Sequence, residues 1–235
     1  MPVNLDIEGM YYTPGTFPLL RGIDLHVECG EVVVIGGRSG CGKSSLLEIC
    51  AGLKRPDRGS VRWNGTDIAS LSREELLTAR QRIGYVFQQH ALISNYSIFE
   101  NIALPLRSKG TFSDHEIDLR VRLVMEEVAL FDVDRSFPES LSVGQLRSAS
   151  IARALVSDPD ILFLDEPANG QDPRTTEGIR GVLLSQQRQR PRTVVMVSHD
   201  PDFWTPLTFR TVFLQDGRLV PAAASAKGTL MPEVH

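Results

Sequence analysis

Apolar and polar positions follow two different patterns along this chain, and both predict strands. Ile23, Leu25 and Val27 alternate with polar residues, and this period of two predicts a strand with one face in water. Continuous apolar runs predict strands that are buried on both faces. Such runs occupy residues 31–35, 161–164, 193–197 and 211–214. The alternating strand and the continuous strands therefore belong to different sheet environments.

Helical signals lie between the apolar runs. Lys43 is followed by Leu46, Leu47 and Cys50 at helical spacing, and Gly52 stands where a left-handed helix cap is expected. Two Ser-x-x-Glu pairs, at 72 and 75 and at 113 and 116, have the spacing of capping boxes. After the second pair, apolar residues recur at helical intervals, at positions 117, 121, 124, 125 and 128. Helices between buried strands predict an α/β fold, with a parallel sheet covered by helices on both faces.

The length and composition fit a single domain with an inserted lobe. The chain has 235 residues, of which 42% are hydrophobic, and this is enough to bury a sizeable core. We predict one domain over residues 1–220, a helical lobe at about 90–157, and a loosely ordered tail at 221–235. The apolar runs are far shorter than the ~20 residues needed to cross a bilayer, so any membrane role requires a partner.

Charge and cysteine content exclude some partners. The formal net charge of −4 gives no general attraction to nucleic acid, and the arginines at 188, 190 and 192 are interpreted as a solvated helix end. We therefore expect no nucleic-acid partner. Three cysteines, at 29, 41 and 50, lack the spacing of metal ligands or of a disulfide framework. They indicate reduced thiols in a cytosolic protein.

A glycine-rich segment joins one predicted buried strand to the helix that follows Lys43. Its spacing is Gly37, four residues, then Gly42, Lys43 and Ser44, which is the phosphate-binding P-loop pattern in the context that it requires. Backbone N–H groups and the helix start would face phosphate oxygens, Lys43 would reach the β and γ phosphates, and Ser44 would bind Mg²⁺. The predicted ATP contacts are Gly37, Arg38, Ser39, Gly40, Cys41, Gly42, Lys43, Ser44 and Ser45. The alternative is a chance match in a glycine-rich turn, and the flanking strand and helix argue against it.

Two carboxylates follow the apolar run at 161–164. If that run is a strand, its C-terminal end delivers Asp165 and Glu166 to the crevice where α/β sheets bind ligands. We assign Asp165 to Mg²⁺ and Glu166 to the attacking water as its general base. By itself, Asp-Glu-Pro after a strand is equally typical of a solvated turn. The P-loop upstream and the motifs below favour the catalytic interpretation.

The segment Leu-Ser-Val-Gly-Gln at 141–145 resembles the Leu-Ser-Gly-Gly-Gln signature of the nucleotide-binding subunits of ABC transporters. The resemblance extends from about Val3 to Val220. It implies a P-loop NTPase core with an N-terminal antiparallel β subdomain and an inserted α-helical lobe. It also implies a homodimer in which each ATP is shared, because a helix start offers free N–H groups to an anion held by the other copy. The residues expected to contact the partner's nucleotide are Ser142, Gly144, Gln145 and Asp172.

Three further positions match motifs of the same family, in the family's order. The resemblance assigns Gln88 to Mg²⁺ and the attacking water, His199 to the γ-phosphate, and Tyr12 to stacking on adenine. Out of context, each of these residue types is more often structural than functional. The predicted catalytic set is Glu166, His199 and Gln88, and the predicted metal set is Ser44, Gln88 and Asp165.

Three features depart from the family pattern. Val143 replaces a signature glycine, and since a β-branched residue is strained at positive φ, we predict helical or β backbone there. Ser148 stands where the family often has arginine, and Arg147 precedes it. The loop at 169–173 reads Asn-Gly-Gln-Asp-Pro and is similar to that of ATPases in Mla-type systems, which move phospholipids together with MCE proteins.

The resemblance implies an ATPase, peripheral on the cytoplasmic face of the inner membrane, that powers transport through integral membrane permease subunits. The loop at 169–173 favours phospholipid transport with an MCE-domain protein. The alternatives are a small-solute importer with a solute-binding protein, and a cell-division-type ATPase that regulates a membrane partner without transport. We expect residues 92–106 to form an apolar groove for a permease helix.

Two other classes are less consistent with the sequence. A soluble ABC ATPase of DNA repair or translation carries a long coiled coil or a second ATPase, and neither fits this length. In an unrelated P-loop kinase or GTPase, the signature before the carboxylates would be accidental.

Overall fold

The computed structural model of the chain describes residues 3–199, 203 and 209–221. The strands are β1 (Leu5–Tyr12), β2 (Leu20–Val27), β3 (Val32–Gly36), β4 (Arg58–Trp63), β5 (Thr66–Asp67), β6 (Ile83–Val86), β7 (Ile161–Asp165), β8 (Thr193–Val197), β9 (Arg210–Gln215) and β10 (Arg218–Pro221). The α-helices are α1 (Lys43–Cys50), α2 (Arg73–Arg80), α3 (Ile98–Lys109), α4 (Asp114–Glu127), α5 (Val143–Leu155) and α6 (Pro173–Gln189).

The strands form two sheets of different kinds. The N-terminal sheet is antiparallel, in the order β2-β1-β4-β5. The larger sheet has the order β10-β9-β3-β8-β7-β6, and β9, β3, β8, β7 and β6 run parallel. The alternating and the continuous apolar patterns therefore belong to separate sheets, as predicted.

The last strand differs from the prediction of a purely parallel sheet. Strand β10 pairs with β9 in the antiparallel direction, and Asp216 and Gly217 connect the two strands. Both residues have positive φ, 50° and 77°, the backbone that a two-residue hairpin with Asp-Gly requires. Pro221 is the last residue of β10, whereas the tail was predicted to begin there; residues 222–235 of that tail lie outside the described residues.

Alternate residues of the parallel strands enter two different cores. Val33 and Ile35 of β3 pack in a cluster with α1 and the antiparallel sheet. Val32 and Val34 of the same strand pack in a cluster with α3, α4, α5 and α6. The period of two along a strand explains this division. Helices thus cover one face, as predicted, but the other face is covered by α1 together with the antiparallel sheet.

Capping boxes begin several helices. The boxes predicted at Ser72 and Ser113 are confirmed at the starts of α2 and α4. The predicted apolar residues of the second helix are buried: Ile117, Val121, Val124, Met125 and Val128. The same device caps α3 through Ser97 and α5 through Ser142. Among the described residues, no helix is both long and apolar enough to cross a membrane.

Candidate functional site: a nucleotide-binding crevice

The glycine-rich segment joins β3 to α1, as its sequence predicts. Gly37 and Gly42 have positive φ, 144° and 106°. A Cβ on Gly37 would lie 2.6 Å from the Leu214 carbonyl oxygen, and a Cβ on Gly42 would lie 2.9 Å from Leu19 Cγ. Any larger residue would therefore change the path of the loop. Gly42 is the N-cap of α1 and has no side chain to cap it, so the first-turn N–H groups remain available to an anion.

The remaining loop residues differ in exposure. Arg38, Ser39 and Gly40 are exposed at the tip, whereas Cys41, Ser44 and Ser45 are half-buried. Lys43 is buried, and its Nζ donates hydrogen bonds of 2.9 Å to the carbonyl oxygens of Gly37 and Arg38. The ammonium group therefore lies inside the turn whose N–H groups would surround a phosphate.

Asp165 ends β7 and meets the P-loop. Its Oδ1 accepts a hydrogen bond of 3.2 Å from Ser44 Oγ. Burial is the main cause that raises the pKa of Asp165 above its ordinary value, the nearby Glu166 carboxylate raises it further, and the Ser44 hydrogen bond opposes both. A buried carboxylate in this state would be stabilised by a cation.

Mg²⁺ fits this donor set. Hydroxyl and carboxylate oxygens are the hard ligands that Mg²⁺ prefers, and it is commonly held by one or two carboxylates together with substrate phosphates. The described part of the chain has no group of three or more His, Cys, Asp or Glu side chains that could hold a metal by itself. Ser44 and Asp165 therefore suit a magnesium ion that arrives with a nucleotide rather than a permanent metal centre.

Glu166 and His199 form a second contact beside Asp165. His199 Nε2 lies 2.9 Å from Glu166 Oε1. Glu166 is buried, its φ is 50°, and its N–H donates to the Val197 carbonyl oxygen at 3.0 Å. Left-handed backbone in a residue other than glycine is uncommon and often occurs at functional sites. His199 follows β8, and the next residue of its motif, Asp200, lies outside the described residues.

Gln88 leaves the sheet beside these carboxylates. It follows β6, and Val86 of β6 is paired with Leu164 of β7. The ends of two neighbouring parallel strands therefore bring Gln88 and Asp165 to the same edge of the sheet. The Gln88 side chain is exposed. Its assignment to the metal and the attacking water remains a prediction.

Ser142 caps α5, the helix of the signature segment. Its Oγ accepts from the Gln145 N–H at 3.3 Å, and Gln145 Oε1 accepts from the Ser142 N–H at 3.0 Å. Val143 is the first residue of α5 and is 57% exposed. It is helical, which confirms the prediction that this position avoids positive φ. The free N–H groups at this helix start belong to Val143 and Gly144, because the capping box uses the N–H of Gln145.

Asp172 has a local role that the sequence did not indicate. It caps α6, and its Oδ1 accepts from the N–H groups of Arg174 and Thr175 at 3.0 and 3.1 Å. Hydrogen bonds from Thr175 lower the pKa of Asp172. A cavity of about 700 Å³ is lined by Ser142, Gly144, Gln145 and Asp172, together with other residues of α5 and α6 and residues 127–130. No P-loop residue lines this cavity. Within one copy, the residues predicted to contact the partner's nucleotide therefore line a different cavity from the P-loop.

Tyr12 lies at the end of β1 and is partly buried against the core beneath the antiparallel sheet. Lys54 Nζ lies 6.0 Å from the centroid of its ring. These contacts give the ring a structural environment, and its predicted role in stacking on adenine stays a prediction.

Sequence reasoning missed three side chains of α5 that bind the segment after β6. Arg147, Ser150 and Arg153 donate hydrogen bonds to backbone carbonyl oxygens between Phe87 and Ala91. Their spacing of three residues places them on one helical face. That spacing was visible in the sequence, but the partner segment was not.

Comparisons with known proteins agree with this geometry. A family model described as ABC transporter matches residues 20–169. The methionine import ATP-binding protein MetN of Bordetella avium is 40% identical over 214 residues, which cover 91% of this chain and 59% of that protein. MetN 2 of Pseudomonas aeruginosa is 34% identical over 229 residues, which cover 97% of this chain and 68% of that protein. This chain spans less than two thirds of the length of the first of these relatives.

Two solved structures share the fold. One is described as a dimeric structure of a post-hydrolysis state of the ATP-binding cassette MJ0796 bound to ADP and Pi. It has a TM-score of 0.85 and 32% identity, and the match covers 92% of this chain and 96% of that chain. The second, cbiO1 from Clostridium perfringens, is described as part of the ABC transporter complex cbiONQ. It has a TM-score of 0.80 and 28% identity, with coverage of 97% and 92%.

Proposed function

The chain belongs to the ABC transporter family, and on that premise we propose that it is the ATP-hydrolysing subunit of a small-solute importer. ATP with Mg²⁺ is the substrate that the crevice suits. The relative MJ0796, which is described with ADP and Pi, supports hydrolysis as the reaction. The observation that carries the proposal is the hydrogen bond between Ser44 and Asp165, because it joins the P-loop to the carboxylate pair.

Each side chain of the crevice has a distinct part in the proposed reaction. Lys43 and the loop N–H groups bind the phosphates, and Ser44, Gln88 and Asp165 hold Mg²⁺. Glu166 accepts the proton of the attacking water, and His199 keeps that carboxylate oriented while its exposed edge faces the γ-phosphate. Mg²⁺, when bound, neutralises charge on the phosphate oxygens.

A second copy of the chain completes the proposed site. Val143 and Gly144 supply free N–H groups at the start of α5, and Ser142 adds a hydroxyl group, so this helix start can contact the γ-phosphate held by the other copy. The description of MJ0796 as a dimer supports this arrangement. ATP would favour the closed dimer by its differential affinity, and hydrolysis would release it. In this proposal, the ATPase domain comprises residues 1–220 with the helical lobe at about 90–157, followed by the tail at 221–235.

The relatives favour an importer over phospholipid transport. Both MetN proteins are named methionine import ATP-binding proteins. The sequence of the loop at 169–173, by contrast, favours phospholipid as the transported substrate. We therefore propose a small amino acid of the methionine class as the solute. Integral membrane permease subunits and a solute-binding protein are the proposed partners, rather than an MCE-domain protein. The proposed location is the cytoplasmic face of the inner membrane.

A small cavity supports the proposed docking of a permease. It has a volume of about 310 Å³, and its lining includes Phe87, Ala91, Ile93 and Pro105. Asn101 is fully buried and holds one rim, since its side chain accepts from the Ile93 N–H and donates to the carbonyl oxygens of Ile93, Tyr96 and Ser97. Arg153 and Ser157 add polar groups to the lining. Because Phe87 precedes Gln88, a short permease helix that docks in this recess would be coupled to the crevice.

Uptake measurements test the proposed function. Cells that lack the chain would be supplied with the parent or with Lys43→Ala, and the uptake of labelled methionine and the transfer of labelled phospholipid would be compared. We expect the parent alone to restore methionine uptake. Restored phospholipid transfer without methionine uptake would contradict the proposal that methionine-class amino acids are the solute. If the parent restored neither transport activity but still hydrolysed ATP, a regulatory role would be supported.

A further inference from the structure

Three side chains of α5 bind the segment that carries Gln88. Arg147 Nη1 and Nη2 donate hydrogen bonds of 2.7 Å to the carbonyl oxygens of Phe87 and Gln88. One helical turn further along, Ser150 Oγ donates to the His90 carbonyl oxygen at 2.7 Å. Arg153 Nη1 then donates to the Ala91 carbonyl oxygen, also at 2.7 Å. A single face of α5 is thus bonded to the backbone over most of residues 87–91.

Arg147 is a buried cation, whereas Ser150 is buried but uncharged and Arg153 is only half-buried. Arg147 is 3% exposed, and its Nε has no hydrogen-bond partner in the part of the chain that the structure describes. Burial lowers the pKa of its guanidinium group, which reflects the cost of removing a cation from water. The desolvation of a buried cation costs free energy, and hydrogen bonds to two neutral carbonyl groups offset that cost less than an ion pair would. The fork of two N–H donors on Arg147 fixes two successive peptide groups at once, which a lysine cannot do.

The two carbonyl groups that Arg147 binds flank the α-carbon of Gln88. They belong to Phe87 and to Gln88 itself, so the peptide groups on both sides of Gln88 are held, and with them the direction of its Cα–Cβ bond. The same arginine lies five residues after Ser142, the cap of α5. The position of Gln88 is therefore linked through one helix to the signature serine.

We infer that Arg147 is a positioning residue that holds Gln88 towards Mg²⁺ and the attacking water and links it to the signature end of α5. This inference rests on the role of Gln88 in the proposed function. Outer-shell residues that orient a metal-contacting group typically change metal affinity or activity by about tenfold to a hundredfold when they are replaced. Arg147 acts on turnover and on the magnesium requirement, and ATP binding to the P-loop does not depend on it.

The test compares Arg147→Met, Arg147→Lys and Arg153→Met in the full chain. We expect Arg147→Met to lower kcat by about tenfold to a hundredfold and to raise the Mg²⁺ concentration needed for half-maximal hydrolysis, with the Kd for ATP unchanged. Arg147→Lys keeps the charge without the fork and should give intermediate values. Arg153→Met removes bonds to the carbonyl groups of His90 and Ala91, neither of which flanks Gln88, so it should keep the parent's kcat and magnesium requirement. Thermal unfolding of all three variants would show that they are folded.

A double-mutant cycle with Gln88→Ala separates this inference from the proposed function. If Arg147 acts through Gln88, then Arg147→Met should lower kcat little further in the Gln88→Ala background. Multiplicative losses would overturn the inference and leave the role of Gln88 intact, as would a folded Arg147→Met or Arg147→Lys variant with the parent's kcat and magnesium requirement. A Gln88→Ala variant with unchanged kcat would refute the proposed role of Gln88, and the inference would fail with it.

Discussion

His199 and Glu166 are in direct contact at the mouth of the crevice, with His199 Nε2 2.9 Å from Glu166 Oε1. The carboxylate is buried, whereas the His199 side chain is 53% exposed. The histidine therefore contacts the buried carboxylate from its solvent-facing side. This pairing restrains the orientation of the Glu166 carboxylate. A general base needs such an orientation, because it must lie within hydrogen-bond reach of the proton that it accepts.

Replacing Glu166 with glutamine should separate ATP binding from hydrolysis. The amide keeps the size of the side chain but cannot accept the proton of the attacking water. We expect turnover to fall by about 10²–10⁴-fold while the Kd for ATP stays close to that of the parent, and we expect ATP to hold the variant as a dimer. Steady-state phosphate release and sedimentation with ATP would measure the two effects.

The matched control is Glu126→Gln, on the exposed side of α4. It removes the same charge from an exposed position on a different helix and should leave phosphate release unchanged. Unchanged hydrolysis by Glu166→Gln would exclude Glu166 as the base. A variant that stays monomeric with ATP would instead contradict the shared site.

Replacing Lys43 with alanine should weaken nucleotide binding itself. The Lys43 ammonium is buried among the loop carbonyl groups, and a charge-assisted hydrogen bond to phosphate contributes about 1.5–3 kcal/mol. We therefore expect the Kd for ATP to rise by about tenfold to a hundredfold, as measured with a fluorescent ATP analogue. Arg122→Ala, which removes an exposed ion pair with Asp118 on α4, is the control. A Lys43→Ala variant with the parent's affinity would refute the phosphate assignment.

Local sequence rules succeeded where one short segment determines the structure. The capping boxes at Ser72 and Ser113 and the P-loop between β3 and α1 depend on residues a few positions apart, so their spacing was sufficient. The Asp216–Gly217 hairpin is equally local. The apolar run at 211–214 predicts only a buried strand of a parallel sheet, whereas the Asp-Gly pair after it is the signal for a hairpin to an antiparallel strand.

The long-range contacts could not be predicted in this way. Arg147 meets Gln88 across 59 residues, and a sequence shows that Arg147 is charged but not that it is buried. Asp172 was recognised as a family position, yet its cap on α6 depends on where that helix begins. Whether Ser142 and Asp172 contact a nucleotide depends on a second copy, which one chain does not contain.

Replacing Ser142 with alanine tests the signature serine against a matched helix cap. Ser142 and Ser113 form the same capping box, on α5 and α4. Loss of an N-cap hydroxyl should lower the free energy of unfolding by about 1 kcal/mol in each case. Only Ser142→Ala should also lower ATP hydrolysis, because only Ser142 faces the nucleotide of the other copy in the proposed dimer. Urea unfolding and phosphate release would measure both properties.

The comparison of the two serine variants separates function from stability. Equal destabilisation with equal loss of hydrolysis would show that Ser142 is needed only for the fold. Equal destabilisation with hydrolysis lost only in Ser142→Ala would support the contact in trans.

Replacing Asp165 with asparagine should stabilise the chain without nucleotide and abolish ATP hydrolysis. Burial raises the pKa of Asp165 in the folded chain, so between the unfolded and folded pKa values the folded state binds more protons than the unfolded state. Stability therefore falls as the pH rises through that interval, and the ionised carboxylate lowers stability at neutral pH. The amide carries no charge, and its oxygen can still accept the Ser44 hydrogen bond. We expect Asp165→Asn to melt at a higher temperature than the parent at pH 7 without nucleotide, and the difference should vanish below the ordinary pKa of aspartate.

Mg²⁺ and ATP should reverse this order. Ligand that binds only the folded state stabilises it in proportion to the logarithm of its concentration over its Kd. The parent should therefore gain thermal stability when Mg²⁺ is added with ATP, whereas Asp165→Asn should gain much less because it lacks the metal-binding carboxylate. If Asp165→Asn melted at a lower temperature than the parent at pH 7 without nucleotide, the raised pKa of Asp165 would be contradicted. Removal of the buried charge would then not stabilise the chain. An equal gain from Mg²⁺ in both proteins would remove Asp165 from the metal site.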